Sequence, residues 1–353
     1  MGGSAVRAMI LVSALLWCGA FGTAAGAGDE PYLPGQRPVA DPSARALSAH
    51  AIYPAAPATA GESAPFGGNA VFLPHPVYPD APTAEGPFPL VVLSHGMYGH
   101  RYNQTWLAEA LAKKGVIAVA ANHPGTTTLS REKDLSRQVD ERVRDIGRMI
   151  DAVLADEVLG PMVDETRIAA IGHSLGGLTV LAAAGARMDE AAYTAFCADH
   201  PDTIGCKSVA QLGVVPGKAD WARLSADLHE PRLSGVVALD PGGTVVLSED
   251  GLGEVRAPVL LMVAGRTPEL VDRRFESDRI APLIPAALLD RRLMESAGHF
   301  DFLGKCTPVG LQILREEEPE DAVVCDLGQA ERARVHAEAL AAIAGFLGLP
   351  AAR

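Results

Sequence analysis

The segment Gly172–Gly177, which reads Gly-His-Ser-Leu-Gly-Gly, constrains this chain more than any other. It follows the run Arg167–Ile171 and precedes small, helix-forming residues that begin at Thr179. A serine between two glycines at such a junction is typical of a sharp strand-to-helix turn that projects the hydroxyl outward. Glycines are favoured on both sides because the strand and the helix approach each other closely there. The pattern predicts that Ser174 is a nucleophile, and the alternative is an ordinary glycine-rich turn.

Apolar runs alternate with helical segments along the rest of the chain. The helical spacing is clearest over Val139–Leu159, where apolar residues recur every three or four positions. Short apolar runs bounded by turn residues predict strands that are buried on both faces. Together these features predict an α/β fold with a mostly parallel central sheet and helices on both faces. The predicted strands are Pro89–Ser94, Val116–Ala121, Arg167–Ile171, Gly235–Leu239 and Val259–Val263, and the predicted helices are Thr105–Lys114, Val139–Leu159, Thr179–Arg187 and Gln329–Leu347.

Polar residues follow these predicted strands where each strand ends. Such segments are Ser94–Gly99, Asn122–Gly125 and Asp240–Gly243, and Ser174 follows a fourth strand. Because parallel sheets gather their chemistry at the carboxyl ends of the strands, we expect these segments to meet around Ser174.

The first residues predict an exported protein. Arg7 precedes the apolar run Ala8–Phe21, and small residues suited to cleavage lie at Ala25–Ala27, so residues 1–27 are interpreted as a signal peptide. The alternative, a membrane anchor, is disfavoured because a spanning helix needs about 20 apolar residues. We expect no transmembrane anchor and a secreted or periplasmic location.

The mature chain is expected to form one large domain. Residues 28–66 are rich in Pro, Ala and Gly and predict an extended N-terminal arm with one strand near Ala46–Tyr53. Residues 67–353 are expected to form a single catalytic domain. The path of the segment 188–219 cannot be derived from its sequence.

Four cysteines remain after the expected cleavage. We expect the local pairs Cys197–Cys206 and Cys306–Cys325 in an oxidising compartment, although three connectivities are possible and four free thiols are the alternative. No spacing typical of a zinc site accompanies them.

The charge of the chain bears on its partners. Its formal net charge of −13 offers no basic face for a phosphate backbone, which argues against binding of nucleic acid. It places no limit on an uncharged substrate.

The motifs resemble those of the α/β-hydrolase superfamily. Within it, the chain is most similar to the group that contains the plasma-type platelet-activating-factor acetylhydrolases and the bacterial dienelactone-hydrolase-like proteins. The likeness extends from about Val39 to the last predicted helix. The segments that carry it are Leu93–Gly96, Asn122–Gly125, Gly172–Gly177, Val237–Asp240 and Gly298–Phe302. The resemblance implies the α/β-hydrolase fold and a Ser–His–acid mechanism without metal or organic cofactor.

A serine hydroxyl needs a base within hydrogen-bond reach, and His299 is the best one. It lies late in the chain after the last predicted strand, which fits the order Ser, Asp, His of this fold. His95 and His123 are rivals, but both precede Ser174 and fit better as residues that shape loops. His173 lies within the Ser174 turn, where its side chain should point away from the hydroxyl.

The acid that orients the base has two possible places. The resemblance to the acetylhydrolases implies Asp240, directly after the strand that follows the nucleophile strand. Many other α/β-hydrolases take the acid from the loop after the next strand, where this chain offers Glu269 and then Asp272. An ordinary turn residue before Pro241 is the alternative role for Asp240. We interpret Asp301 as structural.

Charge that develops on a carbonyl oxygen must be met by fixed donors. The backbone N–H of Leu175, at the start of the helix, and the N–H of Met97 are the expected pair. The Met97 side chain is an alternative contributor, as part of an acyl pocket.

The sequence thus predicts a secreted serine esterase that acts on a small-molecule or lipid ester through an acyl-enzyme on Ser174. The resemblance implies short acyl groups, including acetylated or oxidised phospholipids, while polyesters and xenobiotic esters remain open. A cysteine nucleophile, as in dienelactone hydrolases, is absent from the turn. A peptidase or acyltransferase on the same fold and a non-catalytic binding protein are the alternatives.

Overall fold

A computed structural model describes residues 32–266 and 271–350 of the chain. Its centre is a sheet of ten strands in the spatial order β10-β9-β8-β7-β5-β6-β2-β1-β4-β3. The strands are β1 (Leu33–Ala40), β2 (Ser48–Ala55), β3 (Ala64–Phe66), β4 (His75–Pro79), β5 (Phe88–Ser94), β6 (Ile117–Ala121), β7 (Val163–His173), β8 (Leu233–Leu239), β9 (Val259–Ala264) and β10 (Leu289–Met294).

The six strands from β10 to β6 in this order are all parallel, which confirms the predicted fold class. The continuous apolar run of β5 reflects burial on both faces of the sheet. Leu90 and Val92 pack into the core on one side, and Val91 and Leu93 pack into the core on the other. A strand with solvent on one face would alternate apolar and polar residues instead.

Helices cover both faces, as predicted. Residues of α3 and α4 pack into the core on the first side, and residues of α1 and α11 pack into the core on the second. The helices are α1 (Thr105–Ala112), α2 (Lys133–Ser136), α3 (Val139–Leu154), α4 (Leu175–Ala183), α5 (Glu190–Asp199), α6 (Ile204–Leu212), α7 (Trp221–Leu224), α8 (Glu249–Gly253), α9 (Ser277–Ile280), α10 (Gly310–Glu317) and α11 (Gln329–Phe346).

The segment expected to be an arm contributes to the sheet instead. β1 and β2 pair antiparallel over eight residues, and β2 pairs antiparallel with β6. The buried side chains of Ala51, Ile52 and Tyr53 belong to the core. β2 lies where one strand was expected, near Ala46–Tyr53. β1 was not expected, because pairing with the sheet overrides the weak local propensity of its prolines and glycine. The predicted signal peptide, residues 1–27, lies outside the described residues.

The strand at the other edge of the sheet, β10, was also not predicted. β10 carries Arg291 and Arg292, both exposed, and pairs with a neighbour only along β9. An edge strand tolerates such charges because it is not covered on all sides.

The register of the parallel strands places their carboxyl ends side by side. Ser94, at the end of β5, lies beside Gly172 of β7, and His173 lies beside Leu239 of β8. The loops after β5, β7 and β8 therefore leave the sheet at one edge, where the expected functional residues meet.

Both predicted disulfides are confirmed. Cys197 is bonded to Cys206, linking α5 to α6, and Cys306 is bonded to Cys325 in the region before α11. None of the helices in residues 32–266 and 271–350 combines the length and apolar character needed to cross a membrane.

Candidate functional site

The turn between β7 and α4 holds Ser174 in a strained backbone conformation, with φ of 56° and ψ of −119°. Two glycines make the turn possible. A Cβ on Gly172 would lie 1.9 Å from the carbonyl oxygen of Gly176, and a Cβ on Gly176 would lie 2.0 Å from the carbonyl oxygen of Ser94. Strain of this kind in a non-glycine residue persists only where the surroundings enforce it, and it is common at functional sites.

The side chains of Ser174, His299 and Asp240 form a hydrogen-bonded chain that we call the open array. His299 Nε2 lies 3.0 Å from Ser174 Oγ, and His299 Nδ1 lies 2.7 Å from Asp240 Oδ2. Asp240 Oδ1 accepts a second hydrogen bond from the N–H of Ala264, at 2.9 Å. Asp240 is buried, whereas Ser174 is partly exposed at the surface. The carboxyl group of Asp240 thus holds one nitrogen of the imidazole, and the other nitrogen faces the partly exposed hydroxyl of Ser174.

The alternative acids are placed differently. Asp272 pairs with Arg274, whose guanidinium lowers the pKa of this carboxyl, and Asp240 is the carboxylate bonded to His299. Glu269 lies outside the described residues.

His173 is hydrogen-bonded to the backbone of His299. Its Nε2–H donates to the backbone carbonyl oxygen of His299 at 2.8 Å, so its side chain points away from the Ser174 hydroxyl as expected. Burial, with the nearby His299 ring, lowers the pKa of His173 to about 3. The ring therefore stays neutral and acts as a fixed donor.

The backbone amides of Met97 and Leu175 flank the serine. Neither N–H has a hydrogen-bond acceptor within the described part of the chain. The loop after β5 approaches closely, because a Cβ on Gly96 would lie 3.2 Å from the Cβ of Ser174. Both amides therefore remain the predicted donors to an oxyanion.

The orientation of the Met97 N–H is set by the other end of the same peptide group. The Gly96 carbonyl oxygen accepts from His95 Nδ1 at 2.7 Å and from the N–H of Gly99 at 3.1 Å. In a trans peptide the C=O and N–H point in opposite directions, so fixing this carbonyl aims the Met97 N–H. His95 Nε2 in turn accepts from the N–H of His123, at 3.1 Å.

A second set of serine, histidine and aspartate lies beneath this loop, and we call it the buried array. Ser94 Oγ lies 3.0 Å from His123 Nε2, and His123 Nδ1 lies 2.9 Å from Asp145 Oδ2. All three residues are at most 2% exposed. Asp145 also pairs with Arg45 at 2.7 Å and with Arg148 at 2.6 Å. His95 and His123, the rival bases, therefore shape the loop rather than face the open array.

Arg142 connects the buried array to the loop by hydrogen bonds, and the sequence motifs did not predict this role. This fully buried side chain donates to the carbonyl oxygen of His95, to Ser94 Oγ and to the hydroxyl of Thr179 on α4. A signal was present, because Arg142 lies on the same helical stripe as Val139 and Val143. A charged residue on an apolar stripe is buried only with partners.

Comparisons with known proteins agree with this geometry. A family model described as serine aminopeptidase, S33 (Hydrolase_4), matches residues 85–198, which include the Met97 loop and the Ser174 turn. The bis(hydroxyethyl) terephthalate hydrolase of Streptomyces coelicolor is 28% identical over 186 residues, 52% of this chain and 53% of that protein. Cutinase est2 of Thermobifida alba is 28% identical over 126 residues, 35% of this chain and 36% of the cutinase. The chain thus matches about half of the first relative and about a third of the second.

A solved structure extends the likeness to nearly the whole chain. The ferulic acid esterase from Streptomyces cinnamoneus superposes with a TM-score of 0.56 and 20% identity, covering 92% of this chain and 91% of that one. At this identity the likeness establishes the fold alone. Together with the parallel sheet and the family model, it shows that the chain has the α/β-hydrolase fold.

Proposed function

We propose that this protein is a serine hydrolase of carboxylic esters that works through an acyl-enzyme. The observation that carries the proposal is the open array, in which the strained Ser174 hydroxyl is hydrogen-bonded to His299 and His299 to Asp240. A strained, partly exposed serine with an oriented base at the carboxyl edge of a parallel sheet is a site suited to acyl transfer.

Each residue of the open array has one role. His299 Nε2 takes the proton of Ser174 as Oγ attacks the ester carbonyl, and then gives it to the departing alcohol. Water, deprotonated by the same imidazole, attacks the acyl-enzyme. The bond between the acyl carbon and Ser174 Oγ then breaks, the imidazolium returns its proton to Oγ, and the acid is released. Asp240 keeps Nδ1 protonated and stabilises the imidazolium, without itself taking up the proton.

The oxyanion of both tetrahedral intermediates is met by the N–H groups of Met97 and Leu175. Donors that are fixed before the reaction begins need no reorganisation as the charge develops. Loss of one such donor raises the barrier by about 3–4 kcal/mol.

The substrate class is an uncharged ester with a short or compact acyl group. The names of the related proteins favour this class, because cutinase, a terephthalate ester hydrolase and a ferulic acid esterase all act on carboxylic esters. We include acetylated or oxidised phospholipids among the proposed substrates because the chain resembles the acetylhydrolases. We also propose that the protein is exported, because two bonded cysteine pairs suit an oxidising compartment.

A panel of esters tests the proposal. Purified protein is assayed on acetyl, butyryl and octanoyl esters of one alcohol, on a ferulate, on bis(hydroxyethyl) terephthalate and on an acetylated phospholipid, beside Ser174→Ala. We expect turnover that falls with acyl length and is lost in the variant. Fluorophosphonate labelling should modify Ser174 alone.

The same assays separate the competing functions. An aminopeptidase, the activity named by the family model, would cleave aminoacyl amides faster than esters. An acyltransferase would give more product with an added alcohol than with water. A binding protein would neither turn over esters nor react with the fluorophosphonate, and this outcome would refute the proposal.

A further inference from the structure

The turn that carries His299 is held by buried side chains from two helices. Four successive backbone carbonyls that follow His299 each accept a hydrogen bond from α1 or α11. Trp106 Nε1 donates to Phe302 at 2.9 Å, His336 Nε2 donates to Asp301 at 3.1 Å and to Leu303 at 2.8 Å, and Arg332 Nη1 donates to Gly304 at 2.9 Å. The rings of Trp106 and His336 stack at 3.7 Å, so two of these donors also brace each other.

Arg332 connects this turn to the base itself. Its Nη2 pairs with Asp301 Oδ1 at 3.1 Å, and Asp301 Oδ2 accepts the N–H of Gly298 at 2.7 Å. Gly298 is joined directly to His299. Both Arg332 and Asp301 are 1% exposed, so solvent cannot replace either partner. The buried Arg332–Asp301 ion pair is therefore connected to His299 through one hydrogen bond and the Gly298–His299 peptide bond.

The other donors of Arg332 lie against the Cys306–Cys325 disulfide. Nη1 is 3.5 Å from Cys306 Sγ and also donates to the Gly304 carbonyl, while Nη2 donates to the carbonyl of Val324. These two carbonyls belong to residues close to the two bonded cysteines. The disulfide closes a loop with a sequence separation of 19 and keeps both acceptors around one guanidinium.

We propose that Arg332 and the Cys306–Cys325 disulfide act together as a positioning device for His299. This inference rests on the proposed function of His299 as the base. Without the disulfide, the Val324 carbonyl is free to leave Arg332, and the guanidinium loses one of the acceptors that aim it at Asp301. A buried guanidinium needs its partners, so it shifts toward whatever acceptors remain. The Gly298–His299 turn then moves with Asp301.

The Cys197–Cys206 disulfide provides a matched control within the same chain. It joins α5 to α6 in the segment between α4 and β8, and no hydrogen bond in the described structure connects either cysteine to the open array. Its removal is expected to lower thermal stability without changing the geometry of the base.

The experiment compares wild type, Cys306→Ser/Cys325→Ser and Cys197→Ser/Cys206→Ser on a soluble short-chain ester. We expect the first variant to lose about tenfold in kcat with KM within about twofold, since a displacement of even 1 Å at the reacting groups is costly. The control variant should keep kcat within about twofold while its Tm falls by several degrees, as the Tm of the first variant also does. Equal kcat values in all three proteins would overturn the inference.

Arg332→Lys gives a second measurement that does not require removal of cysteine. A lysine keeps the positive charge beside Asp301. It lacks the planar guanidinium, whose two nitrogens donate to the Gly304 and Val324 carbonyl oxygens at the same time. We expect a several-fold loss in kcat with an unchanged KM, and the cysteine substitutions should cost little more when added to this variant. Fully additive losses would overturn the inference, because they would mean that the disulfide and Arg332 act separately.

The wild-type assay separates this inference from the function on which it rests. If oxidised wild-type protein hydrolyses no ester, the proposed function fails and the inference fails with it. If wild type is active, Ser174→Ala is inactive and Cys306→Ser/Cys325→Ser has wild-type kcat, the inference alone is overturned.

Discussion

The open array and the buried array contain the same three residue types joined by the same two kinds of hydrogen bond. The serine-to-histidine distance is 3.0 Å in both, and the histidine-to-aspartate distance is 2.7 Å in the open array and 2.9 Å in the buried one. The two differ in what surrounds them. Ser174 is partly exposed, is strained and has free amides beside it, whereas Ser94 is fully buried and lies against the guanidinium of Arg142.

This difference separates hydrogen-bond geometry from reactivity. A serine acts as a nucleophile only where a substrate carbonyl can approach it and where donors await the oxyanion. The buried array fails the first condition because Ser94 is fully buried, and the backbone N–H of His123 donates to His95 in the loop that carries Met97. We therefore interpret the buried array as a support for the loop beside the open array.

The difference in reactivity between the two serines is tested most directly by removing each hydroxyl in turn. Ser174→Ala is expected to lower kcat by about 10⁴-fold or more, because nucleophile and base act as a unit. Ser94→Ala should leave kcat within about threefold, since a partner of His123 is lost but no reacting group is. Initial rates on one activated ester, with labelling by a fluorophosphonate, measure both. A large loss of kcat in folded Ser94→Ala would mean that the two arrays are not distinct in function.

Replacement of the aspartates should separate chemistry from stability. Asp240→Asn is expected to cost about 10³–10⁴-fold in kcat, because the amide favours the wrong tautomer of His299. Asp145→Asn should instead lower the free energy of unfolding by about 3–5 kcal/mol, because Arg45 and Arg148 lose their buried counter-ion. Urea unfolding and kcat, measured on both variants, distinguish the two outcomes.

The alternative acids provide the controls for Asp240. Asp272→Asn and Glu269→Gln should each keep near-wild-type kcat. If Glu269→Gln abolished turnover while Asp240→Asn retained it, the assignment of Asp240 as the orienting acid would be wrong.

The helix that follows Ser174 touches the backbone of Ser94, and a glycine substitution tests that contact. A Cβ on Gly176 would lie 2.0 Å from the carbonyl oxygen of Ser94, so Gly176→Ala must displace either α4 or the end of β5. We expect a loss of about 2–4 kcal/mol in the free energy of unfolding, as for other overpacked sites. Gly345→Ala, on the open side of α11, has no atom within 4 Å of the added Cβ and should be neutral or slightly stabilising. Equal effects at the two glycines would contradict the close contact.

Ser174 could be anticipated because its signals are local, whereas the choice of Asp240 over Glu269 and Asp272 rested on the resemblance to the acetylhydrolases. The glycines around Ser174 report a tight turn, and apolar runs followed by polar residues indicate strand ends. The cysteine pairs were also predictable, because each joins residues that are close in the sequence. In such cases the residue and its structural reason lie within a short window.

The buried array, β1 and β10, which the sequence did not predict, depend on distant contacts instead. Asp145 meets His123 because α3 packs against β5 and β6, and nothing near either residue in the sequence reveals the pairing. The N-terminal strands owe their form to pairing with β6 and with each other. Propensity is a weak guide where tertiary contacts supply the stabilising free energy.

The smallest expected effect is a change in how stability depends on pH. Burial, together with the charges of Arg142 and Arg45, holds the pKa of His123 well below its ordinary value of 6.5. The native imidazole therefore stays neutral at pH values where the unfolded chain takes up a proton. Because the unfolded state binds more protons, this residue makes the native state less stable as the pH falls below about 6.5.

His123→Asn should remove that contribution. The decline in unfolding free energy between pH 6.5 and pH 5 is expected to become shallower by about 1.4 kcal/mol per pH unit, the value for one proton. Urea titrations at half-unit pH steps measure the slope, independently of the lower absolute stability of the variant. His200→Asn, at an exposed position, controls for the loss of an imidazole as such. A slope for His123→Asn equal to that of wild type would contradict this prediction. It would mean that His123 takes up its proton in the folded protein.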